Sequence, residues 1–221
     1  MKVLELFAGS RSIGKVCDEL GVECFSVDNK PFEKIDLVKD IEYLKEDDVP
    51  FIPDMVWIGT PCTTYSLAGI SHHRHEDTTP KSEFAFKCDT MNLNVISLIK
   101  YWLELNPRLI WYIENPRAVL RKMWFMQGLN RTTITYCSYG DTRMKPTDIW
   151  SNNIYDMFNL DGWKPRPMCF NGNTKCQHEP APRGSKTGTQ GLKDNYERSK
   201  MPEELCYDIV KSTLNKYYDH I

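Results

Sequence analysis

The 221-residue chain is 41% hydrophobic and 26% charged with a formal net charge of -2, the make-up of one globular domain with a substantial core. No apolar run approaches membrane-spanning length, and the opening MKVLELFAG runs straight into glycine and charge, so it reads as a strand and not a secretory leader. A soluble, cytoplasmic protein with no membrane partner is expected. Its eight cysteines, several inside apolar segments (Cys17, Cys24, Cys88, Cys137, Cys206), are expected as reduced thiols.

Val3 to Phe7 reads as a first strand, followed by the turn Ala8-Gly9-Ser10 and a helix over Ser12 to Leu20, with Ile13, Val16, Cys17 and Leu20 on one face and Gly21 as its stop. A second strand covers Val22 to Val27 and ends at Asp28-Asn29. A short strand or turn lies near Ile35 to Val38, ahead of Asp40. The pattern continues with a strand at Asp54–Ile58, a helix at Thr90–Glu104, a strand at Arg108–Glu114, a helix at Ala118–Met126 and a strand at Thr132–Cys137. The last element is a helix over Pro202 to Tyr217, with Leu205, Ile209 and Leu214 as its core contacts. Strands alternating with helices at this spacing predict an α/β fold, a mostly parallel sheet with helices on both faces.

Two segments break the pattern. Ala68 to Lys87 is polar and carries His72-His73-Arg74-His75, read as solvated or phosphate-facing side chains on a mobile loop. Trp163 to Lys200 is rich in Gly and Pro, and its bases (Lys164, Arg166, Lys175, Arg183, Lys186, Lys193, Arg198, Lys200) outnumber Glu179, Asp194 and Glu197. Such a basic, flexible stretch suits phosphate contacts; a solvated surface loop is the plainer reading. The chain thus divides into a core at 1–162, a small segment at 163–200, and a helix at 201–221 that packs back on the core.

The chemistry concentrates at strand ends. Gly9 allows close approach of a ligand to the backbone, and Asp28, about twenty residues on at the next strand end, suits the hydroxyls of a ribose. Met55-Val56-Trp57-Ile58-Gly59-Thr60-Pro61-Cys62 delivers a thiol just past a buried strand, with Pro61 fixing the backbone before it. Leu109-Ile110-Trp111-Tyr112-Ile113 delivers Glu114-Asn115-Pro116 in the same way. A thiol and a carboxyl at one sheet edge suggest nucleophilic attack on a ring that is also protonated. Singly, each has a plain structural reading: a buried core cysteine, or an acid capping the next helix.

Taken in order, Phe7-Ala8-Gly9, Asp28, Asp40, Pro61-Cys62 with Ser66, Glu114-Asn115, Arg143 and Lys145 resemble the motifs of the cytosine-C5 DNA methyltransferases, most of all the short members carried by bacteriophages. The resemblance implies a Rossmann-like methyltransferase fold with a minimal recognition segment. It also implies S-adenosylmethionine as cofactor, with Phe7, Ala8 and Gly9 around its amino-acid part, Asp28 on the ribose, Asp40 on the adenine amino group, Ile41 against the ring, and Pro61 completing the set. Cys62 thiolate would add to carbon 6 of cytosine. Glu114 would protonate or hydrogen-bond nitrogen 3, Asn115 would hold that turn, and Arg143 or Lys145 would contact the cytosine carbonyl and a nearby phosphate. The partner would be DNA, double-stranded with the base flipped out, in a bacterial or phage-infected cell, with no obligate protein partner. The loop at Ala68–Lys87 would close over the flipped base.

Departures from the motif pattern are Ser10-Arg11-Ser12 after Gly9, which lets Arg11 reach toward a substrate phosphate, Asp141 in place of a glutamine, and Lys145 in place of a second arginine. The segment from His178 through Gly191 stands where larger members carry a recognition domain. The same chemistry on RNA or a free cytosine nucleotide, and a non-catalytic nucleic-acid-binding module, are the competing functions. No metal is expected: Cys169, Cys176 and His178 are of the right types for zinc, but no fourth ligand lies near them in sequence.

Overall fold

Seven strands form one sheet in the order β3-β2-β1-β4-β5-β7-β6. The computed structural model describes residues 1–180 and 194–219. The strands are β1 (Lys2–Leu6), β2 (Glu23–Asp28), β3 (Leu37–Val38), β4 (Met55–Gly59), β5 (Ile110–Pro116), β6 (Arg131–Thr135) and β7 (Pro146–Ser151). β1 to β5 pair in parallel, and β7 runs antiparallel between β5 and β6. This is the Rossmann-like, doubly wound arrangement that the motif order implies.

Both faces are covered, which is why the central strands are continuously apolar. On one face lie α1 (Ser12–Leu20) and α5 (Glu203–Asp219), where Ile13, Val16, Cys17, Leu205, Cys206, Ile209 and Val210 pack on Val3, Met55, Trp57 and Tyr112. On the other lies α3 (Glu83–Leu105), whose Cys88, Met91, Val95, Leu98, Ile99 and Trp102 recur at helical spacing against Leu4, Leu6, Val56 and Ile58. Ser82 caps α3, its Oγ accepting from the Ala85 N–H at 3.1 Å. Two short helices, α2 (Ile70–His73) and α4 (Asn195–Ser199), lie in the connections between these elements. Among the described residues no helix is long and apolar enough to cross a membrane.

Three expectations change. The helix expected over Ala118–Met126 is two 3-10 turns, Val119–Lys122 and Trp124–Met126, broken where Met123 turns extended (φ -65, ψ 138). That break buries Val119, Leu120, Phe125 and Met126 together and leaves Trp124 72% exposed. The helix expected from Thr90 starts earlier, at Glu83, inside the polar loop. Strand β7 was not foreseen, because Pro146-Thr147-Asp148 conceals the short apolar pair Ile149-Trp150 that holds it in the sheet.

Candidate active site

The carboxyl ends of β2, β1, β4 and β5 lie side by side, and the chain order reverses between β1 and β4. Open parallel sheets bind ligands at such a switch point. Phe7-Ala8-Gly9 leaves β1 there, Asp28 ends β2, Thr60-Pro61-Cys62 leaves β4, and Glu114-Asn115 ends β5.

The β1 turn is held open from below. Phe7, Gly9 and Arg11 all have positive φ (55, 48 and 52). A Cβ on Gly9 would meet only the Phe7 carbonyl, at 3.9 Å, so its outer side is clear. The Gly9 N–H donates to Asp28 Oδ2 at 2.9 Å, and the Lys30 N–H donates to Oδ1 at 3.0 Å. A carboxylate has about four acceptor positions, so Asp28 keeps capacity for a vicinal diol. This donor and acceptor set fits a nucleoside-type cofactor.

Two residues of the expected cofactor set are otherwise engaged. Asp40 accepts from the Glu42 N–H at 3.1 Å and from Lys87 Nζ at 2.5 Å, and this ion pair holds its carboxyl below the usual range against the opposing effect of burial. Ile41 is 1% exposed and packed in the core beside α3, so it presents no face to an adenine ring. Arg11 also departs from expectation. It turns inward, donating to Ser26 Oγ at 3.0 Å and Asp18 Oδ2 at 3.1 Å, and so does not reach toward a phosphate. Its left-handed backbone aims it into the gap between α1 and the sheet.

Below the turn lies buried Glu5. Its two oxygens accept the Ile13 and Gly14 N–H groups at the start of α1, each at 3.0 Å. Burial nevertheless pushes its pKa up to about 7, outweighing those two hydrogen bonds and nearby Arg11.

The thiol and carboxyl come together by strand register: Gly59 of β4 is paired with Glu114 of β5. Asn115 locks the pair, donating from Nδ2 to the Thr60 carbonyl at 3.1 Å and to Thr60 Oγ1 at 2.9 Å. Thr60 Oγ1 in turn donates to the Glu114 carbonyl at 3.3 Å. Cys62 is exposed at the start of the Thr63–Tyr65 turn.

Glu114 is buried, and burial pushes its pKa up. The Lys145 ammonium and a 3.0 Å hydrogen bond donated by the Tyr136 hydroxyl to Oε1 pull it down. Although Cys62 as a residue is open to solvent, the protein packed around it pushes the thiol up, opposed by Lys145 and Arg198 and reinforced by Glu114. Lys145 itself is lowered by desolvation, while Glu114 and Cys62 favour its charged form. Its Nζ lies 4.3 Å from the centre of the Tyr136 ring. Cys62, Glu114 and Lys145 are therefore one electrostatic unit, with Tyr136 as its floor. The motif order does not reveal Tyr136, because its role depends on β6 lying beyond β7.

Arg143 borders that unit, 5.7 Å from the centre of the Tyr136 ring, and its charge disfavours that of Lys145. Its guanidinium pairs with Asp141 and donates to the carbonyls of Arg198 at 3.2 Å and Lys200 at 3.1 Å. With its donors turned onto the protein, it clamps the 198–200 stretch and does not face a substrate carbonyl or phosphate. Arg166 of the basic segment is a clamp too, pairing with Glu204 and Asp208 of α5. Arg183, Lys186, Lys193 and the stretch from Ala181 to Gly191 lie outside the described residues.

The segment expected as a mobile lid is anchored. Arg74 is buried, donating to Asp89 Oδ1 at 2.7 Å and Oδ2 at 3.0 Å and to the carbonyls of Thr64 at 2.9 Å and Thr78 at 3.1 Å. Its guanidinium stacks 4.2 Å from the Tyr65 ring. Far from facing phosphate, Arg74 ties α2 to the turn that follows Cys62 and to α3.

No family model matches the chain. It is 27% identical over 171 residues to a protein of Frog virus 3 (isolate Goorha) named "Probable DNA (cytosine-5)-methyltransferase", covering 75% of this chain and 74% of the viral one. Among solved structures it is similar to the S. pombe Dnmt2 methyltransferase (TM-score 0.48, 13% identity, 76% of this chain and 57% of that one). It is also similar to the Entamoeba histolytica methyltransferase EhMeth (TM-score 0.49, 12% identity, 68% of this chain and 52% of that one), so it spans little more than half of either. The chain thus resembles the cytosine-C5 methyltransferases both in the order of its motifs and in its sequence similarity to the viral protein.

Proposed function

We propose that this chain methylates carbon 5 of cytosine in DNA. The observation that carries the reading is the Gly59–Glu114 register, which sets an exposed thiol and a buried carboxyl at one sheet edge with Lys145 acting on both. Carbon 5 of cytosine is a weak nucleophile and becomes enamine-like only when a nucleophile adds at carbon 6. Cys62 thiolate is that nucleophile, favoured by the Lys145 cation. Glu114, raised by burial, holds a proton at nitrogen 3 and takes up the charge developing on the ring. Tyr136 orients the carboxyl, and Asn115 keeps the Thr60–Cys62 loop at its distance from β5. Lys145, not Arg143, is the cation that serves the ring.

Phe7-Ala8-Gly9 and Asp28, with Pro61 beside them, would hold S-adenosylmethionine, which would supply an electrophilic methyl group; carbon 5, once methylated, loses its proton to a base as Cys62 thiolate is expelled from carbon 6, which restores the ring. The viral relative's name supports DNA as substrate. A base stacked in a duplex cannot reach a thiol at the foot of a sheet edge, so the cytosine is flipped out. The 163–200 segment, with exposed Arg198 near the thiol, is the recognition segment of this reading.

The test is incubation with methyl-labelled cofactor and cytosine-containing duplex DNA, with RNA and free cytidine nucleotides as parallel arms. Label in duplex that disappears in Cys62→Ala supports the proposal. Label confined to RNA or nucleotide overturns the DNA assignment, and no label in any arm from folded protein favours a binding module.

A further inference from the structure

On the far side of Tyr136 from Glu114 in the chain, loops distant in sequence converge on one point. Cys137 lies in the 3-10 turn Tyr136–Tyr139 that follows β6. Cys169 and Cys176 bound a polar loop beyond β7, and His178 follows two residues after Cys176. One ligand atom from each of Cys137, Cys169, Cys176 and His178 lies within 4.8 Å of the other three. All three thiols are free. We propose that these four residues form a structural zinc site, with Cys137 the fourth ligand that chain order conceals.

The geometry and the chemistry agree. Zn–S and Zn–N bonds in a tetrahedron put sulfur and nitrogen ligands about 3.6 Å apart, and two sulfurs about 3.8 Å apart. Cys169 Sγ and His178 Nδ1 are 3.5 Å apart. Three thiolates and an imidazole are a soft set that selects zinc over magnesium or calcium. Four protein ligands leave no open position, which makes the site structural and not catalytic.

The surroundings are built to hold sulfur. Asn173 Nδ2 donates to Cys169 Sγ at 3.3 Å, the kind of outer contact that orients a metal thiolate. The Cys169 N–H donates to Thr135 Oγ1 at 2.8 Å, which fixes the loop to the end of β6. Gly172, at φ +84, turns the chain back, and the Cys176 N–H closes on the Asn173 carbonyl at 3.2 Å. Beyond the cluster the Glu179 N–H donates to the Thr142 carbonyl at 2.8 Å. The ion would pin the loop to the residue next to Tyr136, whose hydroxyl holds Glu114, and so set where the basic segment leaves the core.

Tag-free protein, dialysed against metal-free buffer, should contain about one zinc per chain by elemental mass spectrometry, as for a closed four-ligand site. Titrating its thiols with a mercurial should release that equivalent, and cobalt exchanged for it should show the intense visible bands of a tetrahedral thiolate site. Cys62→Ala should keep the metal, whereas Cys137→Ser and His178→Ala should lose it. Thiol titration of the wild type needs no variant, so a misfolding substitution does not blunt the test. Metal-free wild type after growth with added zinc, metal retained by Cys137→Ser, or a disulfide between Cys137 and Cys169 or Cys176 in anaerobically prepared protein would each overturn the site. None of these readings depends on methyl transfer, so failure of the DNA assay leaves the metal count standing.

Discussion

Glu5 should make the stability of this fold fall as pH rises through neutrality. The carboxyl is 1% exposed and its pKa is raised from 4.5 to about 7, chiefly by burial. A group whose folded pKa exceeds its unfolded value stabilises fully below the unfolded value and loses that contribution as pH climbs through the folded one. The shift corresponds to ~3 kcal/mol in all, of which roughly 2–3 kcal/mol is lost between pH 5 and pH 8. The perturbation is Glu5→Gln, which keeps shape and one acceptor but does not titrate. Its amide meets an N–H of α1 and shifts stability by a constant amount, so only the slope carries information. Urea unfolding of both proteins at several pH values gives the difference, wild type minus variant, with all other titrating groups cancelled. That difference should decrease by the stated amount from pH 5 to pH 8. A flat difference, or one that increases with pH, refutes the account of Glu5. The site has a stake in the result, because Glu5 sets the start of α1 and so the shape of the Phe7–Gly9 turn.

Arg74→Ala should cost about 3–5 kcal/mol in urea unfolding, since it leaves Asp89 nearly buried without its cation. Arg74→Met with Asp89→Leu should recover most of that loss, whereas no recovery would mean that the carbonyl contacts to Thr64 and Thr78 carry the anchor. Lys145→Gln should move the titration midpoint of Cys62 upward, because the ammonium opposes the effect of desolvation on the thiol. The pH dependence of Cys62 alkylation, followed by peptide mass spectrometry, reads this directly, and a midpoint that stays put or falls would remove Lys145 from the site. Arg143→Gln, with its guanidinium turned onto Asp141 and two carbonyls, should leave that midpoint nearly unchanged.

What could be read from the chain alone was local. The helix at Ser12–Leu20 shows its own periodicity and stop, and the buried strands behind Cys62 and Glu114 are continuous apolar runs. Their placement at one edge follows from parallel topology, so the thiol and the carboxyl were legible as a pair. Side chains whose roles depend on distant partners were not. Arg74 stands in a polar run that looks solvated, and only the approach of Asp89 from α3 makes it a buried clamp. Arg143 and Lys145 are two residues apart, alike in charge, and both donate to the Arg198 carbonyl, yet Asp141 hydrogen-bonds the first, while the charge of the second acts on Glu114 and Cys62.

The same logic explains why Cys137 looks like a core cysteine in the sequence. It ends a run expected as strand, Thr132 to Cys137, but β6 stops at Thr135 and the next four residues turn. The turn buries Tyr136 and Tyr139 and leaves Cys137 and Ser138 only half-buried, with Ser138 Oγ donating to the Pro167 carbonyl at 2.8 Å. One 3-10 turn therefore does two jobs. Its first residue delivers a hydroxyl to Glu114, and its second delivers a thiol to the loop that carries Cys169. The two are covalently adjacent, so any displacement of that loop bears on the residue that holds the Glu114 carboxyl. The loop of Cys169 and the Glu114 carboxyl are thus tied to a single turn of backbone.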